Sequence, residues 1–510
     1  MKNHRYPNIH SFGINFSGLL CLLLLYACER NGSDNLKPVM QGASEFYIDN
    51  TFTNPILPRG ADPWVTQKNG NYYFTYTQGG KLVLYKTANM SELALASPHD
   101  AWVPEPGMPY SKNLWAPELH EINNKWYMYF AADDGANANH RMYVVENSSS
   151  DPMQGVWVMK GKVADSSNQW AIDGTVLDYK GQLYMLWSGG NAGAPPQQIY
   201  IAKMSDPWTI SSEKVVIASP TYPWEMNGNA INEGPQILIN PNGQVQVVYS
   251  ASGFWVDTYC LGLLRLNKDG DPMNPADWTK TPQSVFSMKA ESGAYGPGHN
   301  GFFKSPNGTE DWIIYHARSL PNGGSGNGRN ARIQKFTWNG DGTPNFGEPV
   351  KIGDSIKKPS GELIRMVYRT EDWSIAGFSS EETVNNRLAI KLIDNDLSSF
   401  WITRYSTSPT NYPDHWITVD MGKPLKVDGF MLAQKNGDRK IKELEILVGN
   451  DNETWESLGT FELANVDRLK QYLNLDVRKQ FRYFKLVPIA GYDSQPQPGL
   501  AEAATYILED

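Results

Sequence analysis

Apolar and polar positions alternate in short bursts along the first two thirds of the chain, and the bursts repeat. Five times, from residues 60, 115, 171, 232 and 296, one arrangement returns: GADPWVTQKNGNYYFTYT, WAPELHEINNKWYMYFAA, AIDGTVLDYKGQLYMLWS, NEGPQILINPNGQVQVVYS and GPGHNGFFKSPNGTEDWIIYHA. Each copy is a β-rich run, a tight turn of NG, NN or KG type, and a second apolar and aromatic run, which is the pattern of a β-hairpin. Copies about 55–65 residues apart match one four-stranded propeller blade each. Between them lie third-strand candidates: LVLYKT from Leu82, RMYVVE from Arg141, QIYIAK from Gln198, LGLLRL from Leu261 and RIQKFT from Arg332. Pro- and Asn-rich pieces connect them, and no long amphipathic helix interrupts. The pattern predicts a five-bladed β-propeller over residues 45–356.

After Asp354 the repeat stops. Residues 357–369, which include KKPSG, read as a linker. From 370 to 510 a second set of short alternating strands runs through HWITVDMGKPLKVDGFMLA, IKELEILVGNDNETWESLG and RYFKLVPI. These bear no relation to the blades and predict a separate antiparallel β-sandwich. The chain is therefore expected to be all-β.

The N-terminus follows a third pattern. Lys2, His4 and Arg5 precede an apolar run over residues 14–27, too short to span a bilayer comfortably. It ends Leu25-Tyr26-Ala27-Cys28, which resembles a bacterial lipobox. The expectation is a lipoprotein signal peptide at 1–27, a lipidated Cys28 and a polar tether over 28–44. The protein would sit in the bacterial cell envelope, at the outer-membrane surface or in the periplasm, touching the membrane only through that anchor. Cys21 and Cys28 both lie in this segment, so the folded part holds only Cys260, and neither a disulfide framework nor a cysteine metal site is available to it. With 45 Lys and Arg against 54 Asp and Glu, the net charge of −9 argues against nucleic acid as a partner.

The innermost strand of a propeller blade lines the central axis, so residues at its start meet around one small space. The five copies put Asp62, Glu118, Asp173, Glu233 and His299 there. Burying four acids and a histidine together is costly. The pattern points to a site, against the alternative of hydrogen-bonded acids in a propeller core. The Gly-rich loop LPNGGSGNGRN at 320–330 has no following helix and no Lys-Ser/Thr, which removes a phosphate cradle.

At this point the ordered set GADPWV, LWAPELH, AIDGTVL, INEGPQIL and GPGHNGFF, followed by ARIQKF and NGDGTPNFGEPV, resembles glycoside hydrolase family 43, five-bladed propellers that act on arabinofuranosides, xylosides and related glycans. The resemblance covers about 300 residues. It implies that Asp62 is the general base, Glu233 the general acid, and Asp173 the group that orients the acid and raises its pKa, the arrangement of inverting hydrolysis. It implies a substrate contact or a hub brace for Glu118, with Trp115 as a platform. His299 stands at a family position that contacts a calcium ion or its waters in some members and is a plain hydrogen-bonded His otherwise. Arg332 stands at that of an arginine that clamps a sugar hydroxyl or pairs with a carboxylate. Trp64, Trp170, Trp224 and Trp255 adjoin hub or loop segments as platforms or core.

The second half resembles the discoidin-like, coagulation factor 5/8 C-type modules through IDNDLSSFW, HWITVDMG and RYFKL, which implies a jelly-roll sandwich that binds sugars or serves as a spacer. Asp394, Asn395 and Asp396, with Ser399, resemble that family's structural calcium loop. The family's last-strand glutamate is expected where Thr505 stands. Tyr405 and Tyr412 are sugar-stacking candidates. Together the resemblances imply an inverting exo-acting glycosidase, an α-L-arabinofuranosidase, with β-xylosidase, exo-β-1,3-galactosidase and a non-catalytic propeller lectin as alternatives. The expected partner is an oligo- or polysaccharide and the expected state a monomer. No cofactor is needed for the chemistry, and a structural calcium is the one ion implied.

Overall fold

The turn signals do what their backbone chemistry allows. In a computed structural model of the protein, which describes residues 45–191, 194–322, 328–407, 411–412 and 414–509, the strands Trp64–Lys68 and Asn71–Thr75 are joined through Asn69 and Gly70, both at positive φ (51° and 73°). That is the geometry a two-residue hairpin needs and Asn-Gly tolerates. Asn123 and Asn124, and Lys180 and Gly181, close the second and third hairpins at positive φ in the same way. The expected signal peptide, Cys28 and tether lie outside the described residues.

Five sheets of this kind form the blades. The inner strands are Trp64–Lys68, Lys112–Ile122, Trp170–Tyr179, Asn232–Ile239 and Tyr295–Lys304, each followed outward by its antiparallel neighbours. Buried side chains of neighbouring blades interleave. Leu177, Leu186 and Ile201 of the third blade, for example, pack with Val247, Tyr249 and Leu264 of the fourth.

The ring closes through residues before the first blade. The amides of Ile56 and Gly60 donate to the Ala331 and Arg329 carbonyls (2.9 and 3.1 Å), and the Ala331 amide donates to the Leu57 carbonyl at 3.0 Å. A Cβ on Gly60 would lie 2.5 Å from that of Ala331, so only glycine permits this approach. The closure sets Asp62 beside the fifth blade.

Four inner strands are bulged near their start, with register shifts between Trp115 and Glu118, Ile172 and Thr175, Glu233 and Gln236, and Gly298 and Gly301. At the kinks Ala116, Asp173, Gly234 and His299 have φ of 41°, 54°, 54° and 43°, and Asp62 reaches 56° just ahead of the first inner strand. Left-handed backbone costs a non-glycine residue about 1–2 kcal/mol, and bulges re-aim side chains at the rims of barrels and sites. The repeat thus carries a five-fold kink. Its true equivalents are Asp62, Ala116, Asp173, Gly234 and His299, so Glu118 lies two residues after its kink and Glu233 one before. The sequence comparison, which aligned acids, could not see that offset.

The C-terminal sheet runs in the order Phe46–Asp49, Arg365–Tyr368, Gly499–Leu508, Ile417–Gln434, Lys470–Gly491, Ile441–Gly449 and Glu456–Glu462. Its two side branches, Ser374–Phe378 and Trp401–Ile402, pair with the strands at Ile417 and Gly499. Alternation sends Leu444, Ile446 and Val448 inward to Phe430, Phe481, Phe484 and Trp401.

Two boundaries differ from the sequence reading. Residues 46–49, expected in the propeller, pair with 365–368 and belong to this sheet. The expected linker 357–369 supplies that partner strand, and its first residue Lys357 pairs with Thr51. The cause is a polar seam. Asp49 accepts from Lys470 (2.9 Å), Lys358 (3.3 Å) and the Tyr472 hydroxyl, while Glu92 of the first blade takes Lys358 (3.1 Å) and Arg365 (2.6 Å). A cleft of about 560 Å³ opens along this seam beside Phe52, Ile56, Lys440 and Tyr472. It holds none of the five hub candidates.

Candidate active site

The kinked strand starts bring Asp62, Asp173 and Glu233 together at one end of the hub, 8%, 4% and 7% exposed. All three are close enough to repel one another.

Asp62 is the most heavily engaged. Arg329 Nη1 and the Thr77 hydroxyl donate to its two oxygens, each at 2.6 Å. The rings of His299 and His316 stand 3.3 and 3.4 Å from Oδ1. Its own amide donates to His316 Nδ1 at 3.1 Å, which leaves that nitrogen without a proton. Burial works against charge on Asp62, yet the Arg329 guanidinium holds the carboxyl well below the usual range. Burial pushes the two rings the other way: His299 is lowered and His316 falls to about 3, so both are neutral.

Glu233 is the opposite case. Burial raises it to about 7, with Asp62 adding repulsion and a 2.8 Å hydrogen bond from the Tyr259 hydroxyl resisting. Asp173 is raised well above the carboxylate range by burial and then by Glu233 and Asp62, although the Gly234 amide donates to it at 3.0 Å. Two neighbouring carboxyls of this kind titrate as a pair, and both are pushed towards their neutral forms beside an ionised Asp62. One charged and one neutral carboxyl is the division of labour that acid–base chemistry requires.

The other sequence candidates separate. Glu118 is buried, and its oxygens are taken by Gln236 Nε2 and by His120 Nε2 at 2.9 Å; this is the brace arrangement. Trp115 stacks on His140 (ring centroids 4.0 Å apart), and His140 is held by Asp133 at 2.9 Å and the Asn113 carbonyl at 3.1 Å. Ala116, next in sequence, donates its amide to the Thr77 hydroxyl at 2.8 Å, which ties the backbone beside Trp115 to the residue that donates to Asp62.

Arg332 does not reach the pocket. It is fully buried and donates to Asn330 Oδ1 (2.8 Å) and to the Gly293 carbonyl (2.9 Å). The arginine on Asp62 is Arg329, three positions earlier, and strand alternation turns odd-numbered offsets to opposite faces. Of the tryptophans, Trp64 lies on His120 (4.8 Å), Trp170 meets His140 edge-on, and Trp224 stacks on Tyr222 and Tyr249. Thr77, Tyr259, His316, Gln236 and Arg329 were missed by sequence reasoning. Only Arg329 had a signal, its place where the Gly-rich loop re-enters a strand.

The metal candidates differ in fit. Calcium asks for six to eight oxygens. His299 offers a nitrogen beside a carboxylate already held by Arg329, so the hub donor set does not fit. Among the described residues no three His, Cys, Asp or Glu side chains gather into a cage.

The sandwich loop fits better. Asp394 accepts from Ser399 Oγ (2.6 Å) and Lys391 (3.2 Å), and Asp396 accepts from the Ser398 amide at 2.8 Å. Beneath them Glu502, 2% exposed, has both carboxylate oxygens buried with no partner in good geometry. The amides of Asn395 and Ala503 face it only marginally; burial, then repulsion from Asp394, raises it to about 8. The last-strand acid is thus Glu502, whereas Thr505 points to Met421 Sδ at 3.6 Å. In the neighbouring loop Tyr405 lies under Arg439 (4.6 Å) and Tyr412 meets His415 edge-on.

Residues 52–344 match the family described as glycosyl hydrolases family 43, and residues 376–502 match the F5/8 type C domain. The chain is 39% identical over 318 residues to the extracellular exo-α-(1→5)-L-arabinofuranosidase of Streptomyces avermitilis, covering 59% of this chain and 64% of that protein. The enzyme of the same description from Streptomyces chartreusis is 35% identical over 272 residues, covering 52% of this chain and 82% of its own length. The chain therefore spans just under two thirds of the first of these relatives. Among solved structures, the α-L-arabinofuranosidase of Lactobacillus brevis superposes with a TM-score of 0.56 at 34% identity, over 59% of this chain and 98% of that one.

Proposed function

The chain belongs to glycosyl hydrolases family 43, and from that membership we propose that it is a secreted, exo-acting, inverting α-L-arabinofuranosidase. The observation that carries the hydrolytic reading is the pairing of an arginine-held, ionised Asp62 with a neutral Glu233 across one pocket. A water placed by Asp62 gives up its proton to that carboxylate as its oxygen attacks the anomeric carbon. The glycosidic C–O bond breaks, and the departing oxygen takes the proton of Glu233. The sugar leaves with inverted configuration, and solvent restores the two protonation states. Asp173, raised by the same burial and by Glu233 itself, stands beside the acid and accepts from the Gly234 amide that fixes the strand. A propeller lectin has no need of such a charge division.

The arabinose preference rests on the names of the relatives, as do exo action and secretion. Lipidation at Cys28 rests on the lipobox-like Leu25-Tyr26-Ala27-Cys28, and glycan binding by the sandwich on its F5/8 type C match.

The test is hydrolysis of 4-nitrophenyl α-L-arabinofuranoside, β-D-xyloside and β-D-galactoside. The arabinofuranoside is expected to be cleaved best. Its kcat/KM should fall as pH rises through about 7, where Glu233 loses its proton, and on the acid side only below the ordinary carboxylate range, where Asp62 gains one. Preference for xyloside or galactoside reassigns the sugar, and activity on none returns weight to the lectin.

In the sandwich, Asp394 and Glu502 with neighbouring backbone carbonyls are the residues that would hold calcium, whose charge offsets a carboxylate otherwise buried alone. Calcium is expected to raise the melting temperature of the protein by several degrees. Glu502→Gln should remove the calcium dependence while leaving the chelated protein no less stable. Equal response in both proteins would show the ion binding elsewhere or nowhere.

A further inference from the structure

One loop, residues 252–259, reaches both reacting carboxylates. At its far end the Tyr259 hydroxyl donates to Glu233 at 2.8 Å. Near its start the Phe254 ring lies under the Arg329 guanidinium at 4.8 Å, and Arg329 holds Asp62. The loop is clamped from below: Arg318, nearly fully buried, donates to the Phe254 carbonyl and the Asp257 carboxylate, both at 2.8 Å. Its other side is tied to residue 227 by the Asn227 amide on Ser252 Oγ (3.0 Å) and the Gly253 amide on the Asn227 carbonyl (2.8 Å).

On this rigid support sits Trp255, 38% exposed, with Phe254 edge-on at 5.3 Å. Its indole rests on two glycines. A Cβ on Gly253 would come within 2.6 Å of the ring and one on Gly228 within 3.1 Å of Nε1. Two glycines that admit an indole against backbone, and leave it open to solvent, are an expensive way to fill a core and a sensible way to present a flat apolar face.

We propose that Trp255 is a stacking platform for the sugar on the leaving-group side of the scissile bond, and hence a specificity-determining residue for glycan chains over single-sugar glycosides. The proposal rests on the glycosidase reading. The acid must lie against the glycosidic oxygen, so the departing sugar lies beyond Glu233, on the side that Tyr259 and its loop enclose. Residue 255 is four positions from the tyrosine that touches the acid. Trp115 and Trp170, on the second and third blades, are both spoken for by His140.

The experiment compares kcat/KM on arabinotriose, which places a sugar beyond the bond, with kcat/KM on α-L-arabinofuranosyl fluoride, which places none. Trp255→Ala is expected to lower the first about tenfold, chiefly through KM, and to leave the second within twofold; Trp255→Phe should recover most of the loss. Equal losses on both substrates, or none on arabinotriose, overturn the platform. Thermal melting of both variants guards against a folding defect. If the wild type cleaves neither substrate, the hydrolase reading has failed instead. The platform is then judged by calorimetric titration with arabino- and xylo-oligosaccharides, where equal affinity of wild type and Trp255→Ala, or binding by neither, overturns it.

Discussion

Glu233→Gln is expected to reduce hydrolysis of sugar–sugar linkages by roughly 10²–10⁴-fold, the usual contribution of a positioned general acid. The fold should survive. Gln is isosteric with the protonated carboxyl that burial already favours here, and its carbonyl still accepts from Tyr259. Loss of the acid also removes a carboxyl from a cluster in which Asp62, Asp173 and Glu233 repel one another, so the melting temperature should hold or rise. The diagnostic is the leaving group: 2,4-dinitrophenolate departs without a proton, so the variant should cleave a dinitrophenyl arabinoside within a few-fold of the wild-type rate. Wild-type activity on oligosaccharides, or equal loss on both substrates, would remove Glu233 from the acid role.

Asp62→Asn should cost more and behave differently. The amide cannot take a proton from water, so turnover is expected to fall about 10⁴-fold, the upper end for a general base, whatever the leaving group. Asn is the replacement of choice because position 62 has φ of 56°, a conformation Asn visits more readily than other non-glycine residues; Ala would mix a backbone penalty with the chemical one. The substitution also takes a charge from Arg329, whose side chain is 11% exposed. Weakening a buried pair destabilises, so some fall in melting temperature is expected with the loss of rate. Azide, which needs no deprotonation, should restore turnover and yield a glycosyl azide of inverted configuration. Rescue that returns retained product would point to a covalent intermediate and a different role for Asp62.

How far the sequence could be read follows from what its patterns encode. The hairpin turns carry their own chemistry in pairs such as Asn69–Gly70, and apolar alternation sets each blade, so five blades and a sandwich were legible. The three carboxyls were legible because each opens a repeat. What held them was not. Tyr259 lies in a loop outside the repeat, His316 on a second strand, and Arg329 is distinguished from Arg332 only by which face of a strand it occupies, a matter of register. Glu118 and Glu233 looked equivalent because both are acids, whereas the backbone kink that defines equivalence falls on Ala116 and Gly234. Phe46–Asp49 was assigned to the wrong domain for a related reason, since four residues carry no mark of a partner strand more than 300 positions away.

That short strand has a consequence for how the protein comes apart. The polypeptide enters the sandwich, leaves it to build the whole propeller, and returns to complete the sandwich, so the propeller is an insertion and not a neighbour. Cutting between the halves near residue 360 yields no clean pair of fragments: the upstream piece carries away an edge strand together with Asp49, and the downstream piece keeps Lys470 and Tyr472 without their acceptor. Tension applied at the amino end is borne first by the C-terminal sheet, and the propeller hangs as a side loop shielded from it.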